Sequence, residues 1–221
     1  MNDDIPAYAQ KQDFIKSRVD TVTLRAEYEL NDNLRIENSM RHGTTNNGYV
    51  VTGARGTSRD VTDPAGDIAT ISLSTHQGWQ EVEYFANQLN LFIDTEIAGM
   101  AHQFVVGGEY SKHDVLNGVY SVTNEGDSNC LVSGRGGVSN GYCLQDENGN
   151  YIDNIDTLMG RNINKGAADS DYQIDTISLY VMDTIDITDA FSVFAGVRAD
   201  TFEYKNIITG GNGSDTTYEY D

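Results

Sequence analysis

The chain has 221 residues, of which 34 are acidic and 14 are basic, so its formal net charge is −20 at pH 7. A chain this acidic repels phosphate backbones, which disfavours nucleic-acid binding. Only 38% of the residues are hydrophobic and the mean hydropathy is −0.45, and no stretch has the roughly 20 apolar residues of a membrane-spanning helix. Two cysteines are too few for a disulfide-dense scaffold or a four-cysteine zinc site.

The N-terminus carries no visible secretory signal. Residues 1–4 contain neither a basic stretch nor the beginning of an apolar one. Two alternatives stay open at this point: a cytosolic protein, or one whose N-terminal part is not in this chain.

Period-2 alternation is the strongest regularity in the sequence. Between Thr21 and Leu30 the even positions are apolar and the odd positions are polar or charged, which is typical of a β-strand. Asn31–Asn33 is a turn cluster. A weaker alternation follows as far as Arg41, with Asn38 and His42 breaking its apolar face. The two stretches predict a β-hairpin.

Two further hairpins are predicted on the same grounds. Alternating stretches at 85–94 and 104–110 flank a short turn at 97–100 that contains Gly99. Alternating stretches at 176–185 and 191–200 flank a turn at 188–190. Turns of about two to four residues are typical of antiparallel hairpins.

Long polar segments, roughly 44–80 and 112–171, separate these hairpins. As loops they are too long for a compact soluble domain. A transmembrane β-barrel combines short turns on one side, long loops on the other, and strands with one apolar and one polar face. A soluble β-sandwich is the alternative, but its loops are usually short at both ends. The pattern favours an all-β fold built from the antiparallel hairpins of a barrel wall.

Four segments resemble the barrel of TonB-dependent outer-membrane receptors, in particular the siderophore-receptor branch. They are Thr23–Gly43, Asn87–Leu91, Ala101–Ser111 and Ser178–Asp200. The last contains YVMDTIDITDAFSVFAGVRAD, which is similar to the family pattern YxxDxxxLTDxxxxxxGxRxD. Asn90 stands where the family has Asp.

The resemblance implies a plugged barrel of about 22 strands in the bacterial outer membrane. About six strands are predicted here, which is a small part of such a barrel. No plug domain or TonB box is visible, and the chain ends in what would be an extracellular loop. We therefore expect residues 1–221 to be a partial barrel domain that lacks the plug and the C-terminal strands.

The barrel interpretation also bears on Cys130 and Cys143, which have twelve residues between them. In an oxidising exterior a disulfide would close this loop and constrain the unfolded chain by about 3 kcal/mol. Two free thiols in a cytosolic protein are the alternative.

The resemblance implies a flat, partly aromatic and often anionic ligand, an iron–siderophore complex. Aromatic rings would stack on such a ligand and arginines would balance its charge. The candidate ligand-binding residues are Tyr49, Arg55, Arg59, Trp79, Tyr84, Arg135 and Tyr142. Ordinary loop packing is the alternative for each of them. Three other rings, Tyr28, Tyr110 and Tyr180, are expected near the membrane interface.

The histidines show no metal-binding spacing, and His102 is expected to be structural. Two segments hint at calcium. Residues 146–150 begin like an EF-hand loop, but Tyr151 stands where the invariant glycine belongs. Residues 210–215 match the start of a single calcium-binding repeat. Surface turns are the favoured interpretation of both segments.

The sequence therefore predicts part of a receptor for energy-coupled uptake of iron–siderophore complexes. The expected partners are the siderophore complex, outer-membrane lipid, and the TonB system acting through a plug. No enzyme activity, no nucleic-acid binding and no cofactor are expected, apart from the iron that a siderophore carries. The alternative is a secreted or surface soluble β-rich binding module that calcium would stabilise.

Overall fold

The computed structural model describes residues 8–56, 68–124, 140–210 and 213–220. Its strands are β1 (Phe14–Asn31), β2 (Leu34–Arg55), β3 (Thr70–Ile97), β4 (Met100–Asn124), β5 (Asn140–Cys143), β6 (Arg161–Thr188), β7 (Phe191–Thr209) and β8 (Asp215–Tyr220). A single 3₁₀ turn at Ile155–Thr157 precedes β6. Within these described ranges, no helix has the length and apolar character needed to cross a membrane.

The strands form one sheet in the order β1-β2-β3-β4-β6-β7-β8, and β5 pairs with β3 beside this path. Strands that follow one another in the chain are therefore neighbours in the sheet, as in an up-and-down barrel wall. The order does not return from β8 to β1 within the described residues. The predicted all-β architecture is confirmed, as an open sheet.

The three predicted hairpins are β1–β2, β3–β4 and β6–β7, each closed by a two-residue turn. In the β3–β4 turn, Ala98 has φ 56° and Gly99 has φ 80°. Positive φ at both central residues defines the type I′ turn, whose twist matches that of the flanking strands.

The prediction that residues 44–80 and 112–171 are loops is wrong over much of their length. Strand β2 continues to Arg55, β3 begins at Thr70, β4 reaches Asn124 and β6 begins at Arg161. Apart from a short alternation at 70–74, these strand portions show no sustained alternation of apolar and polar residues. These portions are strands because their backbones pair with neighbouring strands. The periodicity of a sequence does not predict such pairing.

The chain divides into two compact units. Unit 1 comprises Met1–Ser17, Asn47–Trp79 and Gly118–Ala167, and unit 2 comprises Arg18–Asn46, Gln80–Asn117 and Ala168–Asp221. Unit 1 contains the long connections from β2 to β3 and from β4 to β6, whereas unit 2 contains the two-residue hairpin turns.

In unit 2, the β6–β7 ladder separates an apolar face from a polar face. Leu179 pairs with Ala199, and Val181 pairs with Val197. Paired residues of an antiparallel ladder share a face. Leu179 is 67% exposed and Val197 is 72% exposed. A contiguous apolar surface of this kind requires a non-aqueous neighbour, and the strands of a membrane barrel present it to lipid.

The opposite face of the same ladder is a hydrogen-bonded network of Gln88, Asn90, Glu109, Ser178, Tyr180, Arg198 and Asp200. The Tyr180 hydroxyl donates to Asn90 Oδ1 and accepts from Gln88 Nε2 at 2.8 Å. Arg198 donates to Asp200 at 2.8 Å and to Glu109 at 3.2 Å. The expectation that Tyr180 lies at the membrane interface is wrong, because its ring is buried within this polar network.

Polar side chains that interrupt the apolar face of unit 2 have cross-strand partners. His102 Nδ1 lies 2.8 Å from Asp183 Oδ2, and His102 is only 8% exposed. Asn38 and Asn87 exchange amide hydrogen bonds of 3.2 Å. Pairing offsets the cost of placing polar groups among apolar side chains. The His102 contact supports the structural role expected for this residue.

Unit 1 has a small core of Ile71, Leu73, Tyr142 and Met159. Strand β5 supplies Tyr142, whose backbone pairs with that of Ile71. This pairing brings part of the long β4–β6 connection onto β3.

Asp146 orders a turn in that connection. Its Oδ1 accepts the backbone N–H groups of Asn148 at 2.8 Å and Asn150 at 2.9 Å, and its Oδ2 accepts the Asn150 side-chain amide at 3.1 Å. These bonds, above all that from the Asn150 side chain, lower the pKa of the Asp146 carboxyl. The turn itself engages both carboxylate oxygens, which agrees with the surface-turn interpretation.

The glycine beneath Tyr180 yields a first prediction. A Cβ at Gly107 would lie 2.5 Å from the Tyr180 ring, whereas one at neighbouring Gly108 would meet the flexible tip of Leu179 at 3.2 Å and the Ser178 carbonyl oxygen at an ordinary 3.5 Å. Gly107→Ala should therefore displace Tyr180 and lower the free energy of unfolding of the full-length protein by about 2 kcal/mol. Denaturant unfolding in detergent measures this change.

Gly108→Ala is the matched control, and it should change the free energy of unfolding by no more than about 0.5 kcal/mol. Equal effects of the two substitutions would contradict the packing of Tyr180 over Gly107.

A second prediction concerns pH. The pKa of Asp146 is lower in the folded turn than in the unfolded chain, so its ionised form stabilises the turn above the unfolded value of about 3.9. This stabilisation is lost as the pH falls through the lower folded value. At pH 6, Asp146→Asn should raise the amide exchange of Asn148 and Asn150 a few-fold, relative to intrinsic rates.

Glu147→Gln removes a neighbouring exposed carboxylate and serves as the control, with exchange at both amides expected to stay unchanged. Identical exchange in the two variants would refute the role assigned to the Asp146 carboxylate.

Candidate ligand-binding site

Tyr49 and Arg55 occupy one face of β2 in unit 1, because residues two apart in a strand point the same way. Glycines lie between and beside these side chains. A Cβ at Gly78 would lie 3.2 Å from the Tyr49 ring, and one at Gly53 would lie 2.7 Å from His76 Nε2. We call this surface the Tyr49 face. It comprises Tyr49, Gly53, Arg55, Ser74, His76 and Gly78.

The Tyr49 face combines an exposed aromatic ring with an exposed cation. Tyr49 is 43% exposed, and the Arg55 side chain is also exposed. The His76 imidazole lies over Gly53, and the Tyr49 ring lies against Gly78, so the glycines make room for these side chains. Such a surface suits a flat anionic ligand, which would stack on the phenol and pair with the guanidinium.

Trp79 follows Gly78 and therefore lies on the opposite face of β3. It is 6% exposed, with Lys165 Nζ 4.0 Å from its ring centroid. On its other side it packs over Gly118, where a Cβ would lie 2.5 Å from the indole. The indole is thus packed between protein groups, and stacking a ligand on it would require Lys165 to move.

Two other aromatic residues predicted to bind ligand pack against protein groups instead. Tyr142 is fully buried, and its hydroxyl accepts from Asn124 Nδ2 at 2.6 Å. Tyr84 belongs to unit 2, where its ring stacks on His113 with centroids 6.0 Å apart. In this conformation these rings serve packing, the alternative that the sequence left open.

Arg59, Arg135 and Cys130 lie outside the described residues. Cys143 is 3% exposed and is disulfide-bonded. Its pairing with Cys130 stays the prediction of the sequence, which contains no other cysteine.

Sequence reasoning missed Lys165 and Arg161. Both lie in a stretch interpreted as loop, and their contacts are with residues far away in sequence. No local signal marks such contacts. In the described ranges no three histidine, cysteine or acidic side chains are placed to hold a metal ion.

Comparison with known proteins agrees with the antiparallel sheet described above. The family model described as TonB dependent receptor-like, beta-barrel matches residues 2–221. The catecholate siderophore receptor Fiu of Escherichia coli O157:H7 is 26% identical over 212 residues, which are 93% of this chain and 25% of the relative. The probable TonB-dependent siderophore receptor PiuA of Acinetobacter baumannii is 27% identical over 87% of this chain and 25% of the relative.

Solved structures show the same fold. The siderophore receptor PiuA from Acinetobacter baumannii aligns with a TM-score of 0.66 at 22% identity, over 96% of this chain and 30% of that one. The ferric-catecholate import receptor Fiu from E. coli K12 aligns with a TM-score of 0.64 at 22% identity, over 97% of this chain and 33% of that one.

The chain spans about a quarter of the length of the curated relatives that it matches. The matching family consists of transport receptors, not enzymes, and its members are outer-membrane proteins of Gram-negative bacteria. The chain belongs to the TonB-dependent receptor family as part of its outer-membrane β-barrel.

Proposed function

We propose that this chain forms part of the wall and mouth of a receptor that takes up iron–siderophore complexes. Its family and the names of its relatives support this proposal. The observation that carries it is the Tyr49 face, where an exposed ring and an exposed cation share one side of β2. Binding and transport are the functions that this chemistry supports, and we assign no catalytic role to the chain.

The ligand class that best fits is a ferric catecholate. Such complexes present flat aromatic rings and a net negative charge, which match a phenol for stacking and a guanidinium for charge. The overall charge of −20 opposes an anionic ligand. The binding energy must therefore come from cations placed locally, and Arg55 is one of them.

Two further partners are proposed, lipid from the apolar face of unit 2 and the TonB system from the family. Lipid would contact the apolar face that carries Leu179 and Val197. The TonB system would act through a plug domain outside this segment, with residues 1–221 supplying barrel wall. Iron would enter only as cargo of the siderophore.

Arg55 gives the test of this proposal. Its replacement by alanine should weaken binding of ferric 2,3-dihydroxybenzoate to the full-length receptor by about tenfold or more, since hydrogen bonds to charged groups are the stronger kind. Binding is measured by fluorescence titration, and ⁵⁵Fe uptake is measured in cells that lack other catecholate receptors.

Arg18→Ala is the matched control, because Arg18 is an exposed arginine that bonds to Asp20 at 2.7 Å. Uptake no greater than in receptor-less cells would refute the proposed function. Equal affinities of the two variants would refute the role of Arg55.

A further inference from the structure

The two faces of the β6–β7 ladder change character along its length in unit 2. Pairing is continuous over residues 170–185 of β6, so every position keeps its face along this stretch. On the face that carries Leu179, the apolar side chains give way to charged ones where Asp175 pairs with Glu203. From there to the end of β8, this face holds all the charged side chains of the paired positions: Asp171, Asp175, Glu203, Lys205, Asp215 and Glu219.

The opposite face of the same paired positions is uncharged and aromatic. Tyr204 lies at its centre, with its ring centroid 6.2 Å from that of Tyr172 and 6.0 Å from that of Tyr220. The ring planes are tilted by 38° and 35° in these two contacts. Tyr218 lies on this face as well, since its backbone pairs with that of Asn206. We call Tyr172, Tyr204, Tyr218 and Tyr220 the tyrosine strip.

The tyrosine strip is an open surface of the sheet. Tyr220 is 60% exposed and Tyr218 is 44% exposed, while Tyr172 and Tyr204 are half-buried. A contiguous exposed aromatic surface marks a place where something binds. Tyrosine is suited to this, because its rigid ring supplies a large contact area at a low cost in conformational entropy.

Lipid does not fit as the occupant of the strip. Residues two apart in a strand share a face, so Tyr204 lies on the face of Arg198 and opposite that of Val197, which is the apolar face of the ladder. The first carboxylate along β7 on the tyrosine side is Asp200, and it accepts from Arg198 and from the Ser178 hydroxyl. A flat anionic ligand on the strip would therefore find rings to stack on, and its nearest carboxylate neighbour along β7 is paired.

We propose that the tyrosine strip is a second binding surface for a ferric catecholate, whose rings stack on the phenols. This inference rests on the proposed function. The strip belongs to unit 2 and shares no residue with the Tyr49 face of unit 1. It holds the complex by ring contacts without a cation of its own, whereas the Tyr49 face adds the charge of Arg55.

A fluorine label in the full-length receptor tests occupancy of the strip. With 3-fluorotyrosine at Tyr220, ferric 2,3-dihydroxybenzoate should broaden the ¹⁹F resonance, because high-spin Fe³⁺ relaxes nearby nuclei. The diamagnetic gallium complex should shift the resonance without broadening it. Tyr151 is the control position, since it is 71% exposed and lies in a turn of unit 1. The same label there should respond to neither complex.

Paired substitutions at Tyr204 test the role of the ring. Tyr204→Leu keeps the apolar bulk but removes the ring, so it should raise the ligand concentration for half-maximal change of the Tyr220 label about three- to tenfold. Tyr204→Phe keeps the ring and should leave that concentration within about twofold of the unaltered value.

Three outcomes would overturn the proposal while the receptor still binds the ferric complex. They are an unbroadened label at Tyr220, equal broadening at Tyr151, and equal half-maximal concentrations for the two Tyr204 variants. A label at Tyr220 that is also shielded from a water-soluble nickel reagent would show that protein covers the strip, which would equally overturn it.

The two proposed surfaces fail separately. Normal broadening at Tyr220 together with unchanged affinity in Arg55→Ala would refute the Tyr49 face and support the strip. A receptor that binds no ferric complex would refute the proposed function and, with it, this inference.

Discussion

A β-strand points successive side chains to opposite faces, while its backbone groups must pair with the strands on either side. Both requirements act on every strand here. In the hydrocarbon of a bilayer, an unpaired backbone group costs several kcal/mol, so lateral pairing is obligatory. Because the backbone groups are paired, the side chains on the two faces of a strand can suit two different environments. The β6–β7 ladder does so by keeping Leu179 and Val197 on one face and Tyr180 and Arg198 on the other.

The same constraint explains how unit 2 tolerates polar groups on its apolar face. A lone histidine, carboxylate or amide there would lose its hydration without compensation. His102 meets Asp183, and Asn38 meets Asn87, in each case across strands. Asp183 is also the aspartate of the sequence pattern that resembles the receptor family. Its contact with His102 gives that residue a physical role in holding β4 to β6.

Unit 1 uses other means, because its strands show little alternation beyond residues 70–74. A small apolar core, a disulfide-bonded cysteine and a buried Asp13–Arg161 contact take the place of a continuous apolar face. The Gln12 side chain bonds to both backbone groups of Arg161, as a neighbouring strand would. The result is an ordered unit built from residues that look, in sequence, like solvated loop.

The sequence predicted the parts of the fold that local patterns encode. The three hairpins and the turn at Gly99 follow from alternation and turn residues, which act over a few positions. The continuation of β2 to Arg55 and of β6 back to Arg161 could not be predicted, because pairing with distant strands forms those ends. For the candidate site, residue type predicted Tyr49 and Arg55, and both side chains are exposed in β2. It did not show that Trp79 points away from them or that Tyr142 is buried, since both depend on tertiary packing.

The central claim is that alternate residues of these strands face lipid and a polar interior. Nitroxide scanning of residues 191–200 in the full-length receptor, reconstituted in liposomes, tests it most directly. The account predicts oxygen accessibility that peaks at every second residue, at Val193, Ala195, Val197 and Ala199, with the intervening positions accessible to a water-soluble nickel reagent. Uniform accessibility, or peaks shifted by one residue, would contradict it.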